Sequence, residues 1–191
     1  MAIFTELKSA VRQNYTDSVS CGAKGTGNAR ETFTFLGIPK SVTELSALPE
    51  AAMLNPFQTA ALTILALCRY ADDAAATVEM LDFLKGPTPL SPLERQFLRD
   101  RLTGKSYVPF SFFAGATVQN NYTPTMPFTV TVMENLYSYA EDGYAKLLIQ
   151  SSGADQARPV QLRRKGQGQW FLWEQFLLSD VRQPAANDPW A

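Results

Sequence analysis

The sequence contains no histidine at all. That removes Ser-His-acid and Cys-His catalysis, imidazole-bound zinc, and the usual side chain for proton transfer near neutral pH. Cysteine is nearly as scarce, with only Cys21 and Cys68, too few for an all-thiolate zinc or iron–sulfur centre within one chain. An enzyme built here would have to use carboxylates, lysine, tyrosine or one thiol, and no cofactor is implied. Cys68 stands in the apolar stretch 60–68 and reads as a small buried hydrophobe, whereas Cys21 stands among glycines. A disulfide between them is an alternative; two free thiols and a cytoplasmic setting are the expectation.

Charge is thin as well. Charged residues make up 18% of the chain and the net charge is -1. Residues 1–86 carry 7 basic and 9 acidic side chains and residues 87–191 carry 10 and 9, so neither half generates a field that would steer nucleic acid. Nucleic acid is therefore disfavoured as a partner. No apolar run is long enough to cross a bilayer, so no membrane insertion is expected. The opening MAIFTELKSAVRQ is charged from Glu6 onward and shows no export signal.

What is present is a globular composition, 46% hydrophobic over 191 residues, enough for one sizeable core without a metal or disulfide. Ile3, Leu7 and Val11 suggest a short helix over 1–13, followed by a polar, glycine-bearing loop to residue 30 and a short strand in ETFTFLG. Ser41 with Glu44 spells a capping box for a helix that Pro49 stops. Asn55 before Pro56 starts a second helix, whose interior FQTAALTILALCRY is apolar on nearly every face and so needs cover on several sides. Asp72 or Asp73 starts a third, with Val78, Leu81 and Leu84 inward and Glu79 and Asp82 outward. Ser91, Pro92 and Glu94 start a fourth, which runs to about Leu102.

Residues 104–127 show no sustained helical period, and Tyr107, Phe110, Phe112 and Phe113 are expected to hold the first part on the core as a short edge strand. Alternation then dominates: Phe128, Val130 and Val132 against Thr129 and Thr131, then YAKLLIQS over 144–151, then strands over 158–164 and 169–174. Successive short strands with tight turns predict an α+β fold, an N-terminal helical half packed on a C-terminal antiparallel β-meander. A single domain over 1–191 is expected, with helices mainly in 41–102 and strands mainly in 107–174. A separate helical subdomain is the alternative.

Nucleotide motifs fail on inspection. Gly104-Lys105-Ser106 resembles the end of a phosphate loop, but Arg99 stands where that loop needs glycine. Gly25 and Gly27 begin a dinucleotide pattern whose third glycine position is Arg30. The neighbouring carboxylates Glu79 with Asp82 and Glu141 with Asp142 read as a solvated face and a turn, and Asp155 as a turn residue. No catalytic and no metal-ligating residue is assigned.

Two stretches remain as candidate contacts. Asn120, Asn121 and Tyr122 offer donors, acceptors and a ring on an exposed or half-exposed loop. Arg163, Arg164 and Lys165 form a basic group running into a turn, after which Trp170 and Leu172 face one way and Phe171 and Trp173 the other. Apolar residues on both faces of that strand call for a second cover, from a helix or from another subunit.

The stretches LSPLERQFLRDRLTGKSYVPFSFFAGATVQNNYTPTMPFTVTV and YAKLLIQSSGADQARPVQLRRKGQGQWFLWEQFLL resemble an uncharacterised bacterial family, a domain of unknown function found largely in Gram-positive anaerobes. The resemblance spans roughly residues 40–183. It implies a cytoplasmic bacterial protein and brings no activity, substrate or catalytic residue. The leading functional expectation is a noncatalytic module that binds a protein partner or forms a homo-oligomer, through the face near Trp170, Trp173 and the basic turn. The alternative is a small-molecule-binding protein or carboxylate-based enzyme with the 119–125 loop at a pocket rim.

Overall fold

The computed structural model describes residues 27–166, 168–187 and 189. The helix expected over 1–13, Cys21 and Trp190 lie outside them. The chain begins with strand β1 (Arg30–Phe35), then α1 (Val42–Ser46), a 3-10 turn (Pro49–Ala52), α2 (Pro56–Cys68), α3 (Ala74–Lys85), α4 (Pro92–Leu102) and α5 (Tyr107–Phe110). Strands β2 (Phe128–Met133), β3 (Tyr144–Ile149), β4 (Arg158–Arg164) and β5 (Trp170–Gln175) follow, and a 3-10 turn (Ala185–Asn187) comes last. The architecture is α+β: helices lie mostly ahead of an antiparallel sheet.

The helix starts form where local chemistry places them. Asn55 Oδ1 accepts from the Phe57 amide at 2.7 Å, and Asp73 Oδ1 from the Ala76 amide at 2.9 Å. At α4 the box is complete: Ser91 Oγ accepts from the Glu94 amide at 3.3 Å and Glu94 Oε2 from the Ser91 amide at 2.8 Å. At α1 only half of it forms, because Glu44 Oε2 takes the Lys40 amide instead of that of Ser41. Each such cap stabilises its helix by about 1 kcal/mol. Pro49 both ends α1 and opens the 3-10 turn.

All thirteen residues of α2 are buried. A helix apolar on every side has to be surrounded, and α2 touches all five strands on one side and α3, α5 and the Pro49–Ala52 turn on the others. Its Leu62 and Leu65 join Val130, Leu147 and Leu162 from the sheet in one apolar cluster. Cys68, at its end, is buried and free, and burial pushes its thiol well above the ordinary range.

The sheet runs β1-β2-β3-β4-β5, every neighbour antiparallel. The helices occupy the long connection between β1 and β2. Register runs from Arg30↔Met133 to Phe35↔Phe128 across β1 and β2, and from Tyr144↔Arg163 to Ile149↔Arg158 across β3 and β4. Between β2 and β3 only Val132↔Ile149 and Met133↔Leu148 face each other. In β5, Glu174 pairs with Gln161 but Leu172 pairs with Leu162, which leaves Trp173 as the extra residue of a β-bulge. Alternation holds as expected: Val130, Val132, Leu147, Val160 and Leu162 are buried, while Lys146 and Arg163 are exposed.

Two local expectations are corrected. Residues 107–110 form the helical turn α5, not an edge strand; the edge beside β2 is taken by β1. Asp82 does not simply face solvent. The turn after α3 folds α4 back, so Asp82 Oδ1 accepts from the Leu90 amide at 2.7 Å and Oδ2 pairs with Arg95 at 2.9 Å.

Candidate functional site

The basic residues Arg163, Arg164 and Lys165 close strand β4 and enter the turn to β5. Arg163 lies over the rings of Trp173, at 4.7 Å, and Tyr144, at 5.4 Å; the two rings meet edge-on at 5.9 Å. Arg164 lies over Trp170 at 5.6 Å, and Trp170 in turn meets Tyr139 edge-on at 6.4 Å. Each exposed guanidinium-on-ring contact contributes roughly 0.5–1 kcal/mol. Two of the three cations are thus engaged within the chain, and Lys165 alone extends freely into solvent beside Gly166. A base-stacking platform needs open ring faces beside its cations, and here the cations already occupy those faces.

The second cover for β5 is supplied by this chain. Gly86, the C-cap of α3, sits so close to Phe171 that a Cβ there would collide with the ring, and its φ of 60° also demands glycine. Trp170 and Phe171 pack at the margin of the core. The bulge turns Trp173 to the outer sheet face, where Arg163 and Tyr144 hold it.

The 119–125 loop is tied by its own polar groups. Asn120 Oδ1 accepts from the amides of Thr117 and Thr123, and Nδ2 donates to the carbonyls of Gly115 and Thr123, all within 2.7–3.1 Å. Asn121 and Tyr122 adopt φ of 55° and 56°, and Asn121 Oδ1 accepts from the Ala186 amide at 3.0 Å. Tyr122 is not exposed: at 2% accessibility it stacks on Tyr107 with centroids 5.6 Å apart, and its hydroxyl donates to the Arg182 carbonyl at 2.8 Å. Burial raises the pKa of both phenols. Tyr122→Phe should lower unfolding free energy by about 1 kcal/mol, the net worth of one partly buried hydrogen bond. Urea denaturation checks this.

Beside that loop, Gly153, Asp155, Arg158, Asp180 and Arg182 line a shallow depression of about 220 Å³. Ligand pockets generally run to roughly 300–1,000 Å³. Its cations are already engaged, Arg182 with Asp155 and Arg158 with the Asp180 carbonyl at 3.0 Å.

Another polar cluster was not legible in the sequence because its members are far apart along the chain. Glu134 is buried, and its Oε1 accepts from the amides of Gly27 at 3.0 Å and Ala29 at 3.2 Å, fixing where β1 begins. Glu31 receives a 2.7 Å hydrogen bond from Asn55 Nδ2. Burial raises the Glu31 carboxyl, the Asn55 bond opposes this, and the Glu134 charge adds to it. Burial, with the charges of Glu134 and Glu31, pushes Tyr139 up to about 12. Among the described residues no group of three acidic or cysteine side chains stands close enough to hold a metal ion.

The two edges of the sheet differ sharply. On β5, the Trp170 amide donates to the Met53 carbonyl at 2.8 Å and the Trp170 carbonyl accepts from Thr59 Oγ1 at 2.6 Å. The Trp173 carbonyl accepts from Lys85 Nζ at 3.0 Å. These three groups tie that edge to the helical layer. On β1, the Glu134 amide donates to the Ala29 carbonyl at 3.0 Å, so by alternation Glu31, Phe33 and Phe35 direct their main chain to β2. Arg30, Thr32 and Thr34 direct theirs outward, and among the described residues nothing caps them. Thr32 and Thr34 are exposed, and on the outer face they meet Thr131 and Thr129, with hydroxyl oxygens 2.9 and 3.4 Å apart.

Fold and surface together define an α+β protein whose antiparallel sheet is joined to the helices at one edge and, among the described residues, is uncovered at the other. The chain belongs to the family described as Domain of unknown function (DUF6935), whose model matches residues 37–185. No curated protein and no solved structure matches it. No helix among the described residues is long and apolar enough to cross a membrane.

Proposed function

We propose that this protein is a noncatalytic protein-interaction module that accepts an extended strand along β1. The observation that carries this reading is the main chain of Arg30, Thr32 and Thr34, unpartnered among the described residues, set against a β5 edge where the Trp170 amide and the Trp170 and Trp173 carbonyls are capped. A bare strand edge is a template for another chain, and natural proteins guard such edges with proline, lysine, bulges or a covering element. Between Thr32 and Phe35 the described residues supply none of these. The cations and tryptophans of the β4–β5 hairpin serve as a secondary contact at most, since Arg163 and Arg164 are engaged with rings of their own chain. A pocket-based enzyme or small-molecule binder ranks lower, because Tyr122 is buried and the depression beside it is small. A cytoplasmic setting belongs to the same proposal and rests on the unpaired thiol of Cys68.

The test is titration of the full chain with a capped peptide of residues 31–37, ETFTFLG, followed by backbone NMR. Shifts concentrated on β1 and β2, with slowed exchange of the Thr32 and Thr34 amides, are expected. Unchanged β1 resonances at millimolar peptide would reject strand addition at this edge.

A further inference from the structure

We infer that the strand accepted by β1 is β1 of a second copy of this chain, paired antiparallel about a two-fold axis at Phe33. The inference rests on the reading of β1 as a strand-accepting edge and names its occupant.

The edge itself prescribes what can pair with it. An added strand fits best with an apolar residue beside Phe33 on the inner face and a small polar one beside Thr32 and Thr34 on the outer face. The sequence Thr32-Phe33-Thr34-Phe35 has this alternation. A closed two-fold dimer uses the same patch on both copies, so the requirement and the supply coincide.

The register follows from side chains. Only even-numbered β1 residues point their main chain outward, so a two-fold pairing within the strand can centre on Glu31, Thr32, Phe33 or Thr34. Centring on Glu31 would set two carboxylates directly opposite each other, which is unfavourable. Centring on Thr32 would set Thr34 opposite Arg30 and Glu31 opposite Phe33. Centring on Thr34 would set Leu36 opposite Thr32 and break the threonine row. Centring on Phe33 sets Thr32 opposite Thr34 in both directions and Phe33 opposite its own copy, with Glu31 beside Phe35 only at the two ends. The threonine row that already joins Thr131 to Thr32 would then continue through the partner's Thr34 to its Thr129. The Thr32 and Thr34 amides and carbonyls, unpartnered among the described residues, would exchange hydrogen bonds. Leu36, 89% exposed just past β1, would come to lie against the aliphatic stem of Arg30 in the other copy. Pairing of one short strand covers less than the roughly 800 Å² per partner of a standard interface, so the dimer should dissociate on dilution.

The test is sedimentation of the full chain across the micromolar range, read alongside amide exchange. Mass rising toward twice the monomer value, with Thr32 and Thr34 protection rising at the same concentrations, is the expected result. Thr32→Pro, which removes an outward amide and the exposed hydroxyl contact with Thr131, should weaken association at least about tenfold while lowering the urea midpoint only slightly. Leu36→Lys, at an exposed site with no folding role, should weaken it as well. A monomer at every concentration, or a dimer indifferent to both changes, would overturn the inference. If the 31–37 peptide binds a chain that stays monomeric, the second copy is rejected and the strand-accepting edge stands. Protection of Thr32 that does not vary with concentration would mean that the edge is covered within its own chain, which also overturns it.

Discussion

Leu65→Ala should lower the unfolding free energy by about 3–4 kcal/mol, toward the upper part of the usual 2–5 kcal/mol range for such truncations. The lost transfer energy of the removed carbons is only part of that cost. The rest depends on whether neighbours can move into the space, and α2 gives them little room. Leu65 has no exposed surface, and its helix is held by all five strands on one side and by α3 and α5 on the others. Inward movement of any one neighbour would pull it from its own hydrogen-bonded layer, so most of the cavity should persist. In a chain of this size the change corresponds to a fall of roughly 6–15 °C in Tm. Leu93→Ala, at a position 79% exposed on α4, should change stability by less than about 0.5 kcal/mol and serves as the control. Calorimetry or urea unfolding of both variants checks the contrast.

Lys85→Met should cost about 2–3 kcal/mol although it keeps the volume and removes a charge from the interior. Lys85 is only 6% exposed, and its ammonium donates to Glu94 Oε1 at 2.8 Å and to the Trp173 carbonyl at 3.0 Å. Methionine offers neither donor, so an edge carbonyl of β5 loses its partner against the helical layer. Most of the cost belongs to that carbonyl, since the Glu94 side chain is 39% exposed and its ion pair is screened by water. The pH profile separates the two contributions. Burial works against ionisation of Glu94, but hydrogen bonds from Lys85 and Ser91 outweigh it and hold the carboxyl below its ordinary 4.5. A carboxyl depressed on folding contributes stability that is full above the unfolded pKa and is lost as pH falls through the folded one. The unmodified chain should therefore lose this contribution below about pH 4.5, and Lys85→Met should flatten that acid limb while remaining less stable at neutral pH. Glu94→Gln, which leaves the Trp173 contact in place, should cost less than Lys85→Met.

The elements that the sequence displayed were those decided within a few residues. Asn55 with Pro56, Asp73, and Ser91 with Glu94 mark helix starts because each cap closes a hydrogen bond two or three residues away. Strands β2 to β4 were legible because one buried face imposes alternation on every second residue. The helical turn at Tyr107–Phe110 was not, since four residues containing Pro109 are too few to show a period. The bulge at Trp173 was also hidden, because a bulge shows only against the partner strand. Burial of Lys85 and Tyr122 depends on carbonyls of Trp173 and Arg182, 88 and 60 positions away. The eight candidate residues divide accordingly. Asn120 and Asn121 tie a loop, Tyr122 is core, Arg163 and Arg164 cover the rings of Trp173 and Trp170, and Lys165 faces solvent. The edge of β1, uncapped among the described residues, was hidden because it consists of main-chain groups and is defined only once the other side of β1 pairs with β2, about a hundred residues away.

The narrow join between β2 and β3 gives the sheet a mechanical character of its own. Only Val132↔Ile149 and Met133↔Leu148 stitch the β1–β2 ribbon to the panel formed by β3, β4 and β5. A pull on β1 is carried into the ribbon by its full register with β2, and from there it reaches the panel through a weld two residues wide. The other ties run through the helical layer, by the Asn55 bond to Glu31 and by Phe33, Phe35, Val130 and Val132 seated in the core beside α2. A load on the outer margin of the ribbon would therefore pass to the panel chiefly through α2, which packs on both, rather than through the sheet itself.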